Sequence, residues 1–243
     1  MLPDTYDIKA RLWPALLAAM PLALALATIL NLEWWRTSLV TGASGIGLTF
    51  MLGQVARVLG SRLEPAMFAQ WGGKPSVTIL RHTNDYLNMH TKTEYHRNIA
   101  LLFDVPMPTK MEEIDNPQKA EAAFEAATVA LRGATRDHKK FSLLFKENVS
   151  YGFCRNMRGL KPVGLFTTLC GASIAGIRLY SDHAAGLSVS VFAAVTAGAS
   201  LLMLYVWLAI VTLEWPKAAA YAYADRLLEA STTLVTERKN NQH

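Results

Sequence analysis

The chain has 243 residues, 51% of them hydrophobic, with 24 Lys and Arg against 19 Asp and Glu for a formal net charge of +5. The apolar residues come in uninterrupted blocks between charged stretches, which excludes an evenly mixed soluble domain. Two cysteines, Cys154 and Cys170, are too few for a disulfide framework and read as reduced, apolar-like side chains.

A helix crosses the roughly 30 Å hydrocarbon core of a bilayer with about 20 apolar residues, since each residue rises about 1.5 Å. After a short N-terminal segment, residues 1–11, the first such run is Leu12 to Leu32. It is too long for the core of a cleaved signal peptide, and no small-x-small cleavage site precedes the next run. The second run, Thr37 to Ala56, completes a first hairpin over residues 12–59. Its Gly42-Ala-Ser-Gly-Ile-Gly47 looks like a dinucleotide-binding fingerprint, but no strand precedes it, so that reading is rejected.

Residues 60–163 read as a helical cytoplasmic domain. Gly72-Gly73-Lys74-Pro75 marks a turn, after which Ser76 can cap a helix from Val77 to Phe103. Asp104 to Asn116, with Pro106 and Pro108, reads as a loop. Asn116-Pro117 then starts a helix with the apolar stripe Ala120, Phe124, Ala127 and Leu131. Phe141, Leu144, Phe145, Val149 and Phe153 carry a stripe toward a break at Gly159 and Pro162. A second hairpin, residues 164–213, contains the runs Gly164 to Ile177 and Leu187 to Leu213; the former reaches spanning length when Pro162 and Tyr180 are included. Residues 214–243 read as a cytoplasmic helix to about Thr236. The fold class is therefore all-α and integral to the membrane: two hairpins with an inserted helical cytoplasmic domain.

Orientation follows from the basic flanks. Lys9, Arg11, Arg57, Arg62, Arg155, Arg158, Lys161 and Lys217 all fall on one side, which places both termini in the cytoplasm. Trp34 and Trp35 suit the outer interface, Trp13 and Trp215 the inner. Stripes of small residues read as helix contact faces: Ala15, Ala19, Ala23 and Ala27; Gly164, Thr168, Ala172 and Gly176; Ser190, Ala194 and Gly198. Tight packing is one reading of them, a hydroxyl-lined water path another. The runs hold no ionisable group, which argues against a proton-coupled transporter but not against a passive pore. The pore-lining candidates are Thr41, Ser44, Thr49 and Gln54 of the second run, with Arg57 at the inner mouth.

From Arg132 to Lys161 there are eight Lys and Arg and two acids, a surplus of +6. Either these bind anionic lipid, or they hold a phosphate-bearing ligand such as a nucleotide or short oligonucleotide, with Phe141, Phe145, Tyr151 and Phe153 stacking bases. A second polar cluster has His82, Tyr86, His90, Glu94 and Arg97 on one face of the expected helix. His90 and Glu94 alone are too few for a metal site, and no HExxH, Walker, G-x-S-x-G or Rossmann pattern is present. The ligand-binding candidates are Arg81, His82, His90, Arg97, Arg136, Lys139, Lys140, Arg155 and Arg158; no cofactor, metal or catalytic residue is expected.

The run TRDHKKFSLLFKENVSYGFCRNMRGLKP, Thr135 to Pro162, with the layout of two hairpins around a cytoplasmic domain, resembles four-span membrane effectors of bacterial anti-phage systems paired with a nucleotidyltransferase, of the CBASS or Hailong kind. The resemblance implies a homo-oligomeric ion channel controlled by a nucleotide or oligonucleotide made by the partner enzyme. A membrane scaffold docking a soluble partner, and a membrane enzyme acting on lipid, are the alternatives.

Overall fold

The computed structural model describes residues 4–29 and 40–241, with the side chains of 40–49 outside the description. Among the described residues the chain is all-helical, without a strand. A π-helical turn, Asp7–Leu12, leads into α1 (Trp13–Ile29). There follow α2 (Val40–Gln70), α3 (Pro75–Thr78), α4 (Met89–Phe103), α5 (Lys110–Asp115) and α6 (Pro117–Ala134). The 43-residue α7 (Ser142–Ala184) comes next, then α8 (Val191–Tyr205), which ends in a π-helical turn, Val206–Ile210, and α9 (Glu214–Asn240).

Among the described residues, three helices are long and apolar enough to cross a membrane: Asp7–Ile29, Ser142–Ala184 and Val191–Ile210. The second sequence run lies mostly outside the described side chains: those of Thr41, Ser44 and Thr49 are not described, and Trp34 and Trp35 lie outside the described residues.

The chain divides into two compact units, one of residues 1–64 and 152–216, the other of residues 65–151 and 217–243. In the first unit, α1, α2, α7 and α8 pack through small residues. On α1 the buried face is Ala15, Ala18, Pro21 and Ala25, not the expected Ala19 and Ala23. The steps of three, three and four between these positions stay near the helical period of 3.6, whereas a strict four-residue stripe drifts around the helix. For the same reason Ala194, Gly198 and Gly176 are exposed, and α8 buries Ala193, Thr196 and Ser200 instead. Glycines admit the close crossings. A Cβ on Gly164 would land on the Trp207 ring, and one on Gly171 would lie 2.8 Å from the Pro21 carbonyl oxygen. Gly159 and Pro162 do not break the chain: α7 runs through both, correcting the expected boundary there. Pro162 is an exposed position.

The second unit packs around Ile79, Leu80, Ile99, Phe124, Leu131, Leu227 and Leu228, all fully buried. The expected α6 start holds: the Asn116 side chain accepts from the Lys119 N–H at 3.0 Å, with Pro117 in the first turn. α2 ends in a Schellman arrangement at Gly72, where φ is +80°, with the Gly73 N–H donating to the Phe68 carbonyl at 2.8 Å. Two expectations need correction. The helix from Val77 to Phe103 is interrupted, because α3 stops at Thr78 and Asn88 caps a new helix by accepting from the Thr91 N–H. The expected loop Asp104 to Asn116 contains α5, built on a capping box in which Thr109 and Glu112 satisfy each other's backbone N–H.

Candidate functional site

The interruption between α3 and α4 governs the first group of candidate residues. Residues 79–88 make turns, so their carbonyls lack helical partners and must find donors elsewhere. The buried Lys92 ammonium donates to the Arg81 carbonyl at 2.8 Å and to that of Asn84. Nε2 of the buried His96 sits 2.8 Å from the Leu80 carbonyl, and Nε2 of His82 2.8 Å from that of Pro108; facing carbonyls, both nitrogens donate. The two rings meet edge-on with centroids 5.0 Å apart. The buried Glu113 accepts from the His82 N–H at 2.8 Å and from Thr83 Oγ1 at 3.4 Å. Burial lowers the His96 and Lys92 pKa values, and for Lys92 the nearby Asp85 and Glu113 pull the other way.

His82 is thus committed to holding two segments together, and Arg81 pairs with Glu121 at 2.7 Å. The expected single face of His82, Tyr86, His90, Glu94 and Arg97 does not form, since the helix carrying the last three begins only at Met89. His90 and Arg97 are exposed, seven residues apart on α4. Tyr86 meets the Tyr221 ring at a tilt instead, at 5.1 Å between centroids. Among the described residues no group of three or more His, Cys, Asp or Glu stands together as metal ligands.

The second group is exposed at one stretch of the same unit. Arg132, Arg136, Lys139, Lys140 and Lys146 are all at the surface. Asp137, their acidic neighbour, turns its carboxylate onto the backbone N–H groups of Lys139 at 2.9 Å and Lys140 at 3.2 Å. Lys140 pairs with Glu237 and lies 5.1 Å from the Phe141 ring centroid. Phe141 is buried in the core, and Phe145 is covered by the His138 ring at 4.2 Å between centroids. Phe153 belongs to the other unit, against Trp215. The structure therefore keeps Arg136, Lys139 and Lys140 together but assigns these three rings to packing.

Arg155 and Arg158 both lie in the first unit. Arg155 pairs with Glu64 of α2 at 3.0 Å and donates through Nε to Asn156 Oδ1 at 3.3 Å. Asn156, fully buried, donates in turn to the Ala10 carbonyl at 2.6 Å. That carbonyl has lost its helical donor, for the residue four positions on is Pro14.

Between α1, α7 and α8 runs a seam of hydroxyls. Thr28 and Thr196 meet at 3.2 Å, and Thr167 donates to the Ala18 carbonyl at 2.5 Å. Thr168 Oγ1 and Ser200 Oγ are buried with no partner. Gln54 is half-buried on α2. Asn156, Lys92 and Glu113 were not among the candidates; the only sequence signal for Asn156 was Pro14, 142 positions away, and nothing in the sequence pairs the two.

No family model, curated protein or solved structure matches this chain.

Proposed function

We propose that this chain is one subunit of a homo-oligomeric ion channel in a bacterial inner membrane, with two spanning hairpins and both termini cytoplasmic. A phosphate-bearing nucleotide or short oligonucleotide, bound at the Arg136, Lys139 and Lys140 surface, controls it. The role is that of an anti-phage effector with a partner nucleotidyltransferase, as the Thr135 to Pro162 run implies.

One observation carries the channel reading. Between three helices able to cross a membrane, Thr168 Oγ1 and Ser200 Oγ are buried without a partner in the single chain. A hydroxyl withdrawn from water costs about 1–3 kcal/mol when unpaired, so such a pair of groups fits a seam that takes in water or rotates toward a neighbouring subunit. The hydroxyls carry no charge, as suits passive conduction. The ligand moves the gate only through different affinity for its two states.

The test is ion flux from liposomes containing the purified protein, with and without added nucleotides and short oligonucleotides. Ligand-dependent flux that falls when Arg136, Lys139 and Lys140 become Gln supports the reading. No flux under any condition, with insertion verified, overturns it in favour of a scaffold.

A further inference from the structure

We infer that Arg158 and Lys161 of α7 hold the phosphate of an anionic phospholipid headgroup. The inference rests on the membrane reading of the first unit but not on conduction.

Four cations of α7 belong to this unit, and they fall into two classes. Arg155 has Glu64 at 3.0 Å, and Arg178 has Asp182 at 3.1 Å. Arg158 and Lys161, three positions apart and so neighbours on the helix, have no carboxylate partner among the described residues. Both are half-buried. Arg158 Nε is withdrawn from solvent and makes no hydrogen bond. The Lys161 ammonium makes one, to the Val211 carbonyl at 2.9 Å. That carbonyl follows the π-helical turn at the end of α8 and has no helical donor of its own, so the bond fixes the ammonium in place without neutralising it.

Two partly desolvated cations, one of them held in place, call for an anion. A phosphate accepts from a guanidinium and an ammonium together. What surrounds the pair favours a lipid as the source. Gly164, where the apolar run begins, is one turn on, against Trp207, while Val163 and Phe166 are 42% and 65% exposed and offer surface to acyl chains. Trp215, packed on Phe153, is an aromatic of the kind that sits at headgroup level.

The experiment reconstitutes the full chain in phosphatidylcholine vesicles with and without phosphatidylglycerol, extracts it, and counts retained lipid by native mass spectrometry. The wild type should keep phosphatidylglycerol. R158Q/K161Q should lose roughly 25-fold in retention, since each cation near the surface contributes about the equivalent of a fivefold change. R57Q/R62Q, which removes two exposed cations of α2, should retain as wild type, and R158K/K161R, which keeps both charges, should restore retention. Equal retention by R158Q/K161Q and wild type would overturn the site. Displacement of the lipid by millimolar inorganic phosphate or a soluble nucleotide would overturn the lipid as source. Failure of the wild type to float with vesicles would instead sink the membrane reading.

Discussion

Gly159 of α7 and Gly60 of α2 cross so closely that a Cβ on Gly159 would lie 2.5 Å from the Gly60 nitrogen. No side chain fits there, and the obstacle is backbone, which cannot swing away. Gly176 is the contrast: it is exposed on the same helix, and a Cβ there meets nothing within 4 Å.

Gly159→Ala should therefore lower the stability of the first unit by about 1–3 kcal/mol through overpacking. Gly176→Ala should raise it by about 0.5–1 kcal/mol, because alanine loses less backbone entropy in a helix. Thermal unfolding of the two variants in the same detergent checks the opposite signs. Equal shifts would mean that the crossing is looser than the geometry indicates.

The Asn156 amide replaces the donor that Pro14 lacks. Asn156→Leu keeps the branched shape but leaves the Ala10 carbonyl unpaired and removes the acceptor of the Arg155 Nε. A loss of about 1–3 kcal/mol is expected, with faster amide exchange confined to the turn around Ala10. Unchanged exchange there would show that the carbonyl finds another donor.

How much of this was legible in the sequence depended on range. The α6 start at Asn116-Pro117 and the turn at Gly72-Gly73 are local signals, and the chain obeys them. The apolar runs announced helices able to cross a membrane, because length and composition suffice for that. The continuation of α7 through Pro162 was not legible, since a proline ends a helix only where the lost bond and the ring cannot be accommodated. Nor was the fate of His82. Its spacing to Tyr86 and His90 implied one helical face, but long-range partners, Pro108 and Glu113, hold it in a turn. The candidate basic set likewise looked continuous from Arg132 to Lys161, while the structure divides it between two units.

Lys92 supplies donors to two turn carbonyls, and Lys92→Met keeps its stem but supplies none. The Asn84 carbonyl then loses its donor, while the Arg81 carbonyl keeps the Asn84 N–H at 3.2 Å, so the second unit should lose about 1–3 kcal/mol. Chemical denaturation followed by Trp71 fluorescence reads this out; a loss below about 0.5 kcal/mol would mean that water replaces the ammonium at no cost.

Acid should weaken the same cluster. Burial holds the His96 pKa below its usual 6.5, while in the unfolded chain the ring titrates normally. The unfolded state therefore binds the extra proton first, and stability falls as pH drops below about 6.5, until the folded pKa is passed. The charges facing His96 are His82 and Lys92, which oppose its protonation, and Glu113, which favours it. Asp225, whose carboxyl is raised by burial and then by Glu229 despite Arg226, contributes in the opposite sense at lower pH. His96→Gln keeps a donor for the Leu80 carbonyl and removes the titration. Between pH 7 and 5.5 its denaturation midpoint should vary less than that of the wild type; equal slopes would assign the acid effect to another group.

Thr168→Val and Ser200→Ala separate a packed seam from a conducting one. If the two hydroxyls are only packed, removing them relieves an unpaired polar group, so each variant should be stabilised by up to about 1 kcal/mol with flux unchanged. If they hold water or face a neighbouring subunit in the open state, the double variant should conduct less while folding as well as the wild type. The reason lies in geometry: both groups sit on the buried faces of their helices, where loss of a hydroxyl changes polarity and hardly changes shape. Flux and unfolding measured on the same preparation decide between them, and stabilisation with full flux would move the conduction path away from the α1, α7 and α8 seam.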